Sequence, residues 1–316
     1  MNSEHTRLGN SGLEISPLVY GSALTIGTER VDQGFSDMII DSLWDLGIRT
    51  FDTSNNYGAG RSETLLGKSL QKYPRHDYVL STKGSWALGQ GLNESGLGRK
   101  HLFDSIDNSL NRLGVDFIDV YYAHRFYEII SMEQIIANFN LLISKGKILH
   151  WGVSEWPLSA LEECFEICNK TGMEGPIVQQ NIYSYAIHPS RENGLLKFAK
   201  EHGMGFIGYA PFAQGLLTGK YLHGIPEGSR IDKAESIGYF KTANIQEQIK
   251  DKVLTFLNLT SRYELNPTHA AIAWVRREGV VPLFGASSRE QVLENLESLS
   301  FQAPNDFWID LDNHEY

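Results

Sequence analysis

Cysteine is scarce in this chain of 316 residues: Cys164 and Cys168 are the only two. They stand four apart on a predicted helix, with no His or further Cys at metal-ligand spacing. Half a metal site or a redox pair is the functional alternative, but a metal site would need such partners, so two reduced, partly buried thiols are expected and no metal. Long apolar runs are missing too. No stretch approaches the ~20 residues of a membrane span. Met1-Asn-Ser-Glu-His lacks the basic and apolar regions of a signal peptide. No membrane insertion and a cytoplasmic location are therefore the expectations. Basic clusters are absent, and the net charge is −10. A phosphate-binding face needs clustered Lys and Arg, so nucleic acid is not an expected partner. A dinucleotide fingerprint, Gly-x-Gly-x-x-Gly, is missing after the first strand candidate. That position reads Gly21-Ser-Ala-Leu-Thr-Ile-Gly27. Gly58-Ala-Gly60 and Gly89-Gln-Gly91 lack the third glycine and the right context, which argues against a Rossmann fold. No linker, low-complexity segment or composition break divides the chain, so residues 1–316 are expected to form one domain.

What is present is a repeating pattern. Hydrophobic residues make up 41% of the chain, enough for a large core. Arg7–Ser16 has two short extended pieces around Asn-Ser-Gly and predicts a β-hairpin. Eight strand candidates follow: Leu18–Gly21, Arg49–Asp52, Tyr78–Thr82, Phe117–Tyr122, Ile148–Val153, Ile177–Gln180, Met204–Tyr209 and Val281–Phe284. Between them, Ser36–Leu46, Glu63–Lys72, Arg99–Leu113, Met132–Lys145, Leu158–Asn169, Glu192–Glu201 and Arg289–Leu299 show apolar residues at three- and four-residue spacing. Gly47, Gly114, Gly146 and Gly203 stand where helices should end. Strands alternating with helices predict a closed (β/α)₈ TIM barrel with an N-terminal hairpin. The interval after strand seven is longer. Phe212–Asn244 predicts a long loop before helix Ile245–Tyr263, with another helix from Pro267, and a loop of that length is usually a lid or a binding loop.

Barrel enzymes carry their chemistry at the C-terminal ends of the strands. Asp52 ends strand two, with Tyr57 in the loop after it; Lys83 follows strand three and His124 follows strand four. Each alone has an ordinary explanation: a helix cap, a turn aromatic, a solvated charge, a core imidazole. Four at successive strand ends are harder to explain that way, and their chemistry is coherent. A phenol has a pKa of ~10, and a nearby ammonium lowers it. An acidic partner keeps the ammonium charged. An imidazole beside the phenol can orient a substrate oxygen. Together they form a proton-delivery device for a carbonyl that receives a hydride.

Phe51-Asp-Thr-Ser-Asn-Asn-Tyr-Gly58, Ser62-Glu-x-Leu-Leu-Gly67 and Ser81-Thr-Lys83 resemble the aldo-keto reductase superfamily. So do Val115-Asp-Phe-Ile-Asp-Val-Tyr-x-x-His-Arg125 and Gly146-Lys-Ile-x-x-Trp-Gly-Val-Ser154. Gly96-Leu-x-Arg-Lys-His101, Trp151-Gly-x-Ser-x-Trp156 and Gly215-Leu-Leu-Thr-Gly-Lys-Tyr221 resemble the branch that contains the potassium-channel β subunits and their bacterial relatives. The resemblance implies a catalytic tetrad of Asp52, Tyr57, Lys83 and His124, with Tyr57 the general acid in reduction. The channel subunits tend to lack a His at the position of His124, which favours a working reductase.

The resemblance also implies a nicotinamide dinucleotide, NADPH before NAD, held across the barrel mouth. Ser22 and Ala23 would approach it after strand one, beside Asp52. Ser154, Glu155 and Gln180 match positions around the carboxamide, and Tyr209 matches the aromatic on the nicotinamide face. Ala210, Pro211, Phe212, Gly215 and Leu216 would wrap the pyrophosphate, with Lys220 and Arg230 adding charge. Gly285 and Glu294 belong to the cofactor-binding segment that opens the last helix, where Ser287 and Arg289 would take the 2′-phosphate at the helix N-terminus, with Gln291 and Asn295 nearer the adenine. Two positions depart from the family pattern. Glu155 stands where Asn is common, and a carboxylate accepts from the carboxamide but cannot donate to it. The arginine of the 2′-phosphate loop is shifted by one, to Arg289.

The expected activity is NADPH-dependent reduction of an aldehyde or ketone, with a small-molecule carbonyl as substrate. Tyr20, Trp86, Phe126 and Tyr127 are candidates for an aromatic substrate pocket. The alternatives are a redox-sensing regulatory module, oxidation of a sugar or cyclitol alcohol, and a lyase with Lys83 as Schiff base. Expected pairing with Asp52 argues against the last. The residues do not set the oligomeric state; a homo-oligomer stays open.

Overall fold

The β-branched and aromatic runs become strands because alternate side chains can bury on both faces of a closed sheet. A computed structural model describes residues 5–28, 31–87, 89–222, 224 and 243–314. Strands β1 (Thr6–Arg7) and β2 (Glu14–Ile15) pair antiparallel, with Thr6 opposite Ile15, as the predicted hairpin. Eight parallel strands follow: β3 (Val19–Gly21), β4 (Thr50–Asp52), β5 (Val79–Gly84), β6 (Ile118–Ala123), β7 (Ile148–Ser154), β8 (Val178–Ile182), β9 (Gly205–Tyr209) and β10 (Val281–Phe284). They run in sequence order, and β10 pairs with β3 to close the barrel. The outer helices are α1 (Gln33–Asp45), α2 (Arg61–Leu70), α3 (Arg99–Leu113), α4 (Met132–Ser144), α5 (Leu158–Thr171), α6 (Pro189–Glu192), α7 (Leu195–Glu201), α8 (Ala243–Arg262), α9 (Pro267–Arg277), α10 (Arg289–Glu297) and α11 (Asn305–Asn313). Among the described residues, no helix is long and apolar enough to cross a membrane.

The hairpin plugs the N-terminal mouth. Leu8 and Ile15 join Val19, Val120, Tyr122, Val178 and Ile207 in the barrel interior. Burying each of those two side chains contributes about 1.5–3 kcal/mol. Asn10 N–H donates to the Gly203 carbonyl at 2.7 Å. Gly9 lies so close that a Cβ there would stand 2.3 Å from the Gly203 oxygen. The hairpin thus packs against the barrel interior at the N-terminal ends of the strands.

Three expectations are refined. The helix predicted over Glu192–Glu201 is two helices, because Gly194 between them takes φ +83°. The helix Asn305–Asn313 was not anticipated; Phe307 and Leu311 bury it against the barrel's outer shell. The segment after β9 is not loop throughout, since Ala213–Thr218 forms a 3₁₀ turn and α8 begins at Ala243. Arg230 lies outside the described residues. Cys164 and Cys168 are free thiols, both buried on α5.

One buried ion pair ties the outer ring to the sheet. Glu63 on α2 is fully buried. It accepts from Arg112 Nε on α3 at 2.7 Å and from Thr82 Oγ1 on β5 at 2.6 Å. Removing one partner strands a buried charge. Glu63→Ala is expected to cost about 3–5 kcal/mol, whereas the exposed Lys100–Asp104 pair should contribute under ~1 kcal/mol. Urea unfolding midpoints of Glu63→Ala and Asp104→Ala test this: equal losses would contradict it.

Candidate active site

Asp52, the last residue of β4, stands in register with Ser81 on β5. Two residues further along β5, on the same face, comes Lys83. Its ammonium bonds the Asp52 carboxylate and donates to the Thr53 carbonyl at 2.9 Å. Asp52 Oδ1 accepts from Ser81 Oγ at 2.6 Å and from Gln180 Nε2 on β8 at 3.3 Å. Both members of the pair are almost wholly buried, and these extra bonds answer part of the desolvation cost.

After Asp52 the chain stays beside β5. Thr53 N–H donates to the Ser81 carbonyl at 3.0 Å and Asn55 N–H to the Lys83 carbonyl at 3.2 Å. A turn then closes from Tyr57 N–H to the Ser54 carbonyl at 3.2 Å. Gly58 follows at φ +57°, and a Cβ there would lie 2.6 Å from the Gly27 carbonyl oxygen. The turn therefore needs glycine for conformation and for space. It sets the Tyr57 ring with its centroid 5.2 Å from Lys83 Nζ and 6.1 Å from the His124 ring, edge-on. His124, just past β6, presents Nδ1 to Ser54 Oγ at 3.1 Å. Trp86 stands edge-on to His124 at 6.2 Å. The four tetrad candidates thus meet around one point at the C-terminal mouth.

The charges are set by burial and by one another. Burial works to lower the Lys83 pKa, but Asp52 and Tyr57 outweigh it and raise it above the ordinary lysine value. A lysine held charged is a poor Schiff-base nucleophile, which counts against the lyase reading. Burial raises the Tyr57 phenol above its usual value, Lys83 pulls it back, and Asp52 adds to the rise. The ammonium acts in the expected direction, yet burial wins, so the expected net lowering is not found. Burial, with Lys83 and Arg125, holds the His124 imidazole well below its usual pKa, so it is neutral at pH 7.

The profile of the Aldo/keto reductase family matches residues 17–315. The chain belongs to that family. It is 36% identical over 301 residues to a putative voltage-gated potassium channel subunit beta of Schizosaccharomyces pombe, covering 93% of this chain and 87% of that one. It is 32% identical to a probable voltage-gated potassium channel subunit beta of Oryza sativa subsp. japonica and 31% to one of Arabidopsis thaliana, each over 94% of this chain and 91% of the relative. The family assigns this aldo/keto reductase to the oxidoreductases.

Around the mouth of this aldo/keto reductase, Ser154 and Gln180 are neighbours in register and both buried. Ser22 is buried and accepts from Ser62 Oγ at 2.8 Å, with Ala23 half-buried beside it. Glu155 is committed elsewhere than expected. Its Oε1 accepts from Tyr209 Oη and from the Ile182 N–H, both at 2.8 Å. The Ala210–Leu216 turn holds left-handed residues at Ala210 (φ +57°) and Gly215 (φ +94°), with Pro211 buried and Phe212 and Leu216 half-buried. A Cβ on Gly215 would meet Lys220 Cε at 2.6 Å, so that cation lies against the turn. Beyond half-buried Gly285, Ser288 caps α10. Ser287 donates twice to Gln291 Oε1, Arg289 pairs with Asp45 at 3.3 Å, Glu294 is exposed, and buried Asn295 donates to the Gln291 carbonyl at 2.7 Å.

The aromatic candidates separate. Trp86 is 40% exposed at the mouth. Phe126 packs on Trp156 with centroids 5.1 Å apart, and Tyr127 Oη donates to the Ser85 carbonyl at 3.2 Å. Tyr20 has no exposed surface; its ring packs on Phe284 and its hydroxyl bonds Thr25 Oγ1 at 2.7 Å. Tyr20 is therefore a core residue and not a pocket wall. Two contributors escaped the sequence reading, Ser81 and Ser54. The period of two places Ser81 on Lys83's face and could have found it. No local signal ties Ser54 to His124, seventy residues on.

Stability should report the neutral His124. The unfolded imidazole takes a proton near pH 6.5, while the folded one resists until lower pH. The unfolded state then binds more protons, so stability falls as pH drops below ~6.5. His124→Gln is expected to lose this component. Urea midpoints measured from pH 7 to pH 5 should fall more steeply for the parent protein; parallel curves would contradict the assignment.

Proposed function

We propose that this protein reduces an aldehyde or ketone to an alcohol, with NADPH as hydride donor. The observation that carries the reading is the Asp52–Lys83–Tyr57 arrangement with a neutral His124 edge-on to the phenol. Tyr57 places an acidic hydrogen beside Lys83 and His124. Asp52 keeps Lys83 in place and charged. Lys83 in turn stabilises the phenolate left when Tyr57 gives its proton to the substrate oxygen. His124 orients that oxygen. The same four groups run the reverse reaction on an alcohol.

The residues fit the dinucleotide. Ser154 and Gln180 offer polar groups at adjacent strand ends beside Asp52. Tyr209 presents a half-buried ring whose hydroxyl is anchored by Glu155. Lys220 supplies a cation against the glycine turn. The N-terminus of α10 supplies free N–H groups and a positive dipole end for a phosphate, beside Ser287 and Arg289. The exposed Arg289–Asp45 pair is weak enough to exchange for a phosphate. When bound, the cofactor supplies the hydride.

The test is loss of NADPH absorbance with a panel of aldehydes and ketones. Turnover is expected, and Tyr57→Phe should reduce kcat by roughly 10²- to 10⁴-fold while leaving NADPH binding intact. Tight NADPH binding with no turnover on any carbonyl would replace this reading by a redox-sensing regulatory module; the relatives carry names of potassium channel β subunits. NADH used as efficiently as NADPH would overturn the 2′-phosphate assignment at Ser287 and Arg289.

A further inference from the structure

A neutral imidazole carries one N–H, and the bond at one nitrogen fixes the state of the other. In His124, Nε2 has no hydrogen-bond partner among the described residues and is the nitrogen open to a ligand. Nδ1 faces Ser54 Oγ at 3.1 Å. A serine hydroxyl has one proton to give. Ser54 Oγ lies 2.7 Å from Asn56 Oδ1, with the Lys83 carbonyl at 3.4 Å and Asn55 Oδ1 at 3.5 Å as weaker acceptors. If Ser54 donates to Asn56, Nδ1 must be the donor toward Ser54, and Nε2 is left bare. If Ser54 donates to Nδ1, Nε2 carries the hydrogen. A carbonyl oxygen only accepts, so it can use the second state alone.

We propose that Ser54 and Asn56 together set the tautomer of His124, and that the resting protein holds the Nδ1–H form because Asn56 takes the serine proton. Ser54 is buried and Asn56 half-buried, so the choice is made away from bulk water. A carbonyl entering the mouth draws the other form, in which the Ser54 hydroxyl turns from Asn56 to Nδ1 and Nε2–H faces the substrate. Proton count is conserved: one hydrogen on Ser54 and one on His124 in both states. Ser54 and Asn56 act only through His124, as positioning residues. The catalytic consequence rests on the reductase reading, whereas the tautomer itself does not. The apparent affinity for a carbonyl scales with the fraction of protein in the Nε2–H form.

The experiment is side-chain ¹⁵N NMR of the full chain with labelled histidine. His124 is assigned by its absence in His124→Gln. The parent protein should show protonated Nδ1. Asn56→Ala removes the competing acceptor and should move the proton to Nε2. Ser54→Ala should abolish that response, so that adding Asn56→Ala to it changes nothing. Ser54→Thr, which keeps the hydroxyl, should restore the parent pattern. With a carbonyl substrate, Asn56→Ala should lower KM several-fold with the KM for NADPH unmoved. Unchanged ring shifts in Asn56→Ala, or an equal change with and without Ser54, would overturn the proposal. The ring spectra decide the point even in a protein that turns over no carbonyl, so failure of the reductase reading and failure of this one are separable.

Discussion

The ion pair between Lys83 and Asp52 is the interaction on which the mouth of this barrel depends. Two opposite charges are buried where the interior opens, and neither would be stable there alone. Ser81, Gln180 and the Thr53 carbonyl satisfy what the pair leaves over. Those partners come from β5, β8 and the segment after β4, so the pair fixes the relative position of three parts of the barrel rim. Burying an ion pair is a poor way to gain stability. Its retention at this position makes physical sense because it holds a positive charge beside a phenol. Burial alone would raise that phenol's pKa still further and make its proton harder to transfer.

Much of this was legible in the sequence because a parallel barrel has few free parameters. Period two in each strand, one helix per connection and chemistry at one rim are enough to bring Asp52, Lys83 and His124 together. The barrel strands lie where the β-branched runs placed them. Element ends were less legible. Gly194 breaks a pattern that apolar spacing alone continues, because a positive φ is a backbone event that periodicity does not see. Tyr20, a candidate for the pocket, packs in the core for a related reason. Its strand was right, but alternation sends Val19 into the barrel and Tyr20 outward to the helices. A residue of the same chemical type therefore serves packing and not the mouth.

What the sequence could not show are contacts between the short polar side chains of different loops. Ser54 meets His124 because Asn55 N–H pairs with the Lys83 carbonyl and so holds the loop against β5. The hydroxyl then has one proton for several acceptors, with Asn56 Oδ1 and His124 Nδ1 the nearest. A residue type common in any turn thus acquires a role from tertiary register alone, and single-residue chemistry gave no warning of it.

Glu155 makes the same point from the other side of the mouth. As a departure from the family pattern it suggested a compromised contact to the carboxamide. Its backbone sits at φ +54°, which for a non-glycine residue costs on the order of 1–3 kcal/mol. Something must hold it there. The Gln180 carbonyl and Asn181 Oδ1 accept its N–H, and its carboxylate accepts from the Ile182 N–H and Tyr209 Oη. An amide oxygen, with two lone pairs, could also accept both of those last two bonds, but a carboxylate accepts them as charge-assisted bonds, which are shorter and stronger. The acid therefore belongs to the support of Tyr209. Glu155 bridges the end of β7 to β8 and β9, as the Lys83–Asp52 pair bridges β4 to β5 and β8. On both sides of the rim a buried or half-buried charge fixes an aromatic ring, a phenol beside Lys83 and another above Glu155. The open end of the barrel is ordered by electrostatics where the hairpin orders the closed end by apolar packing.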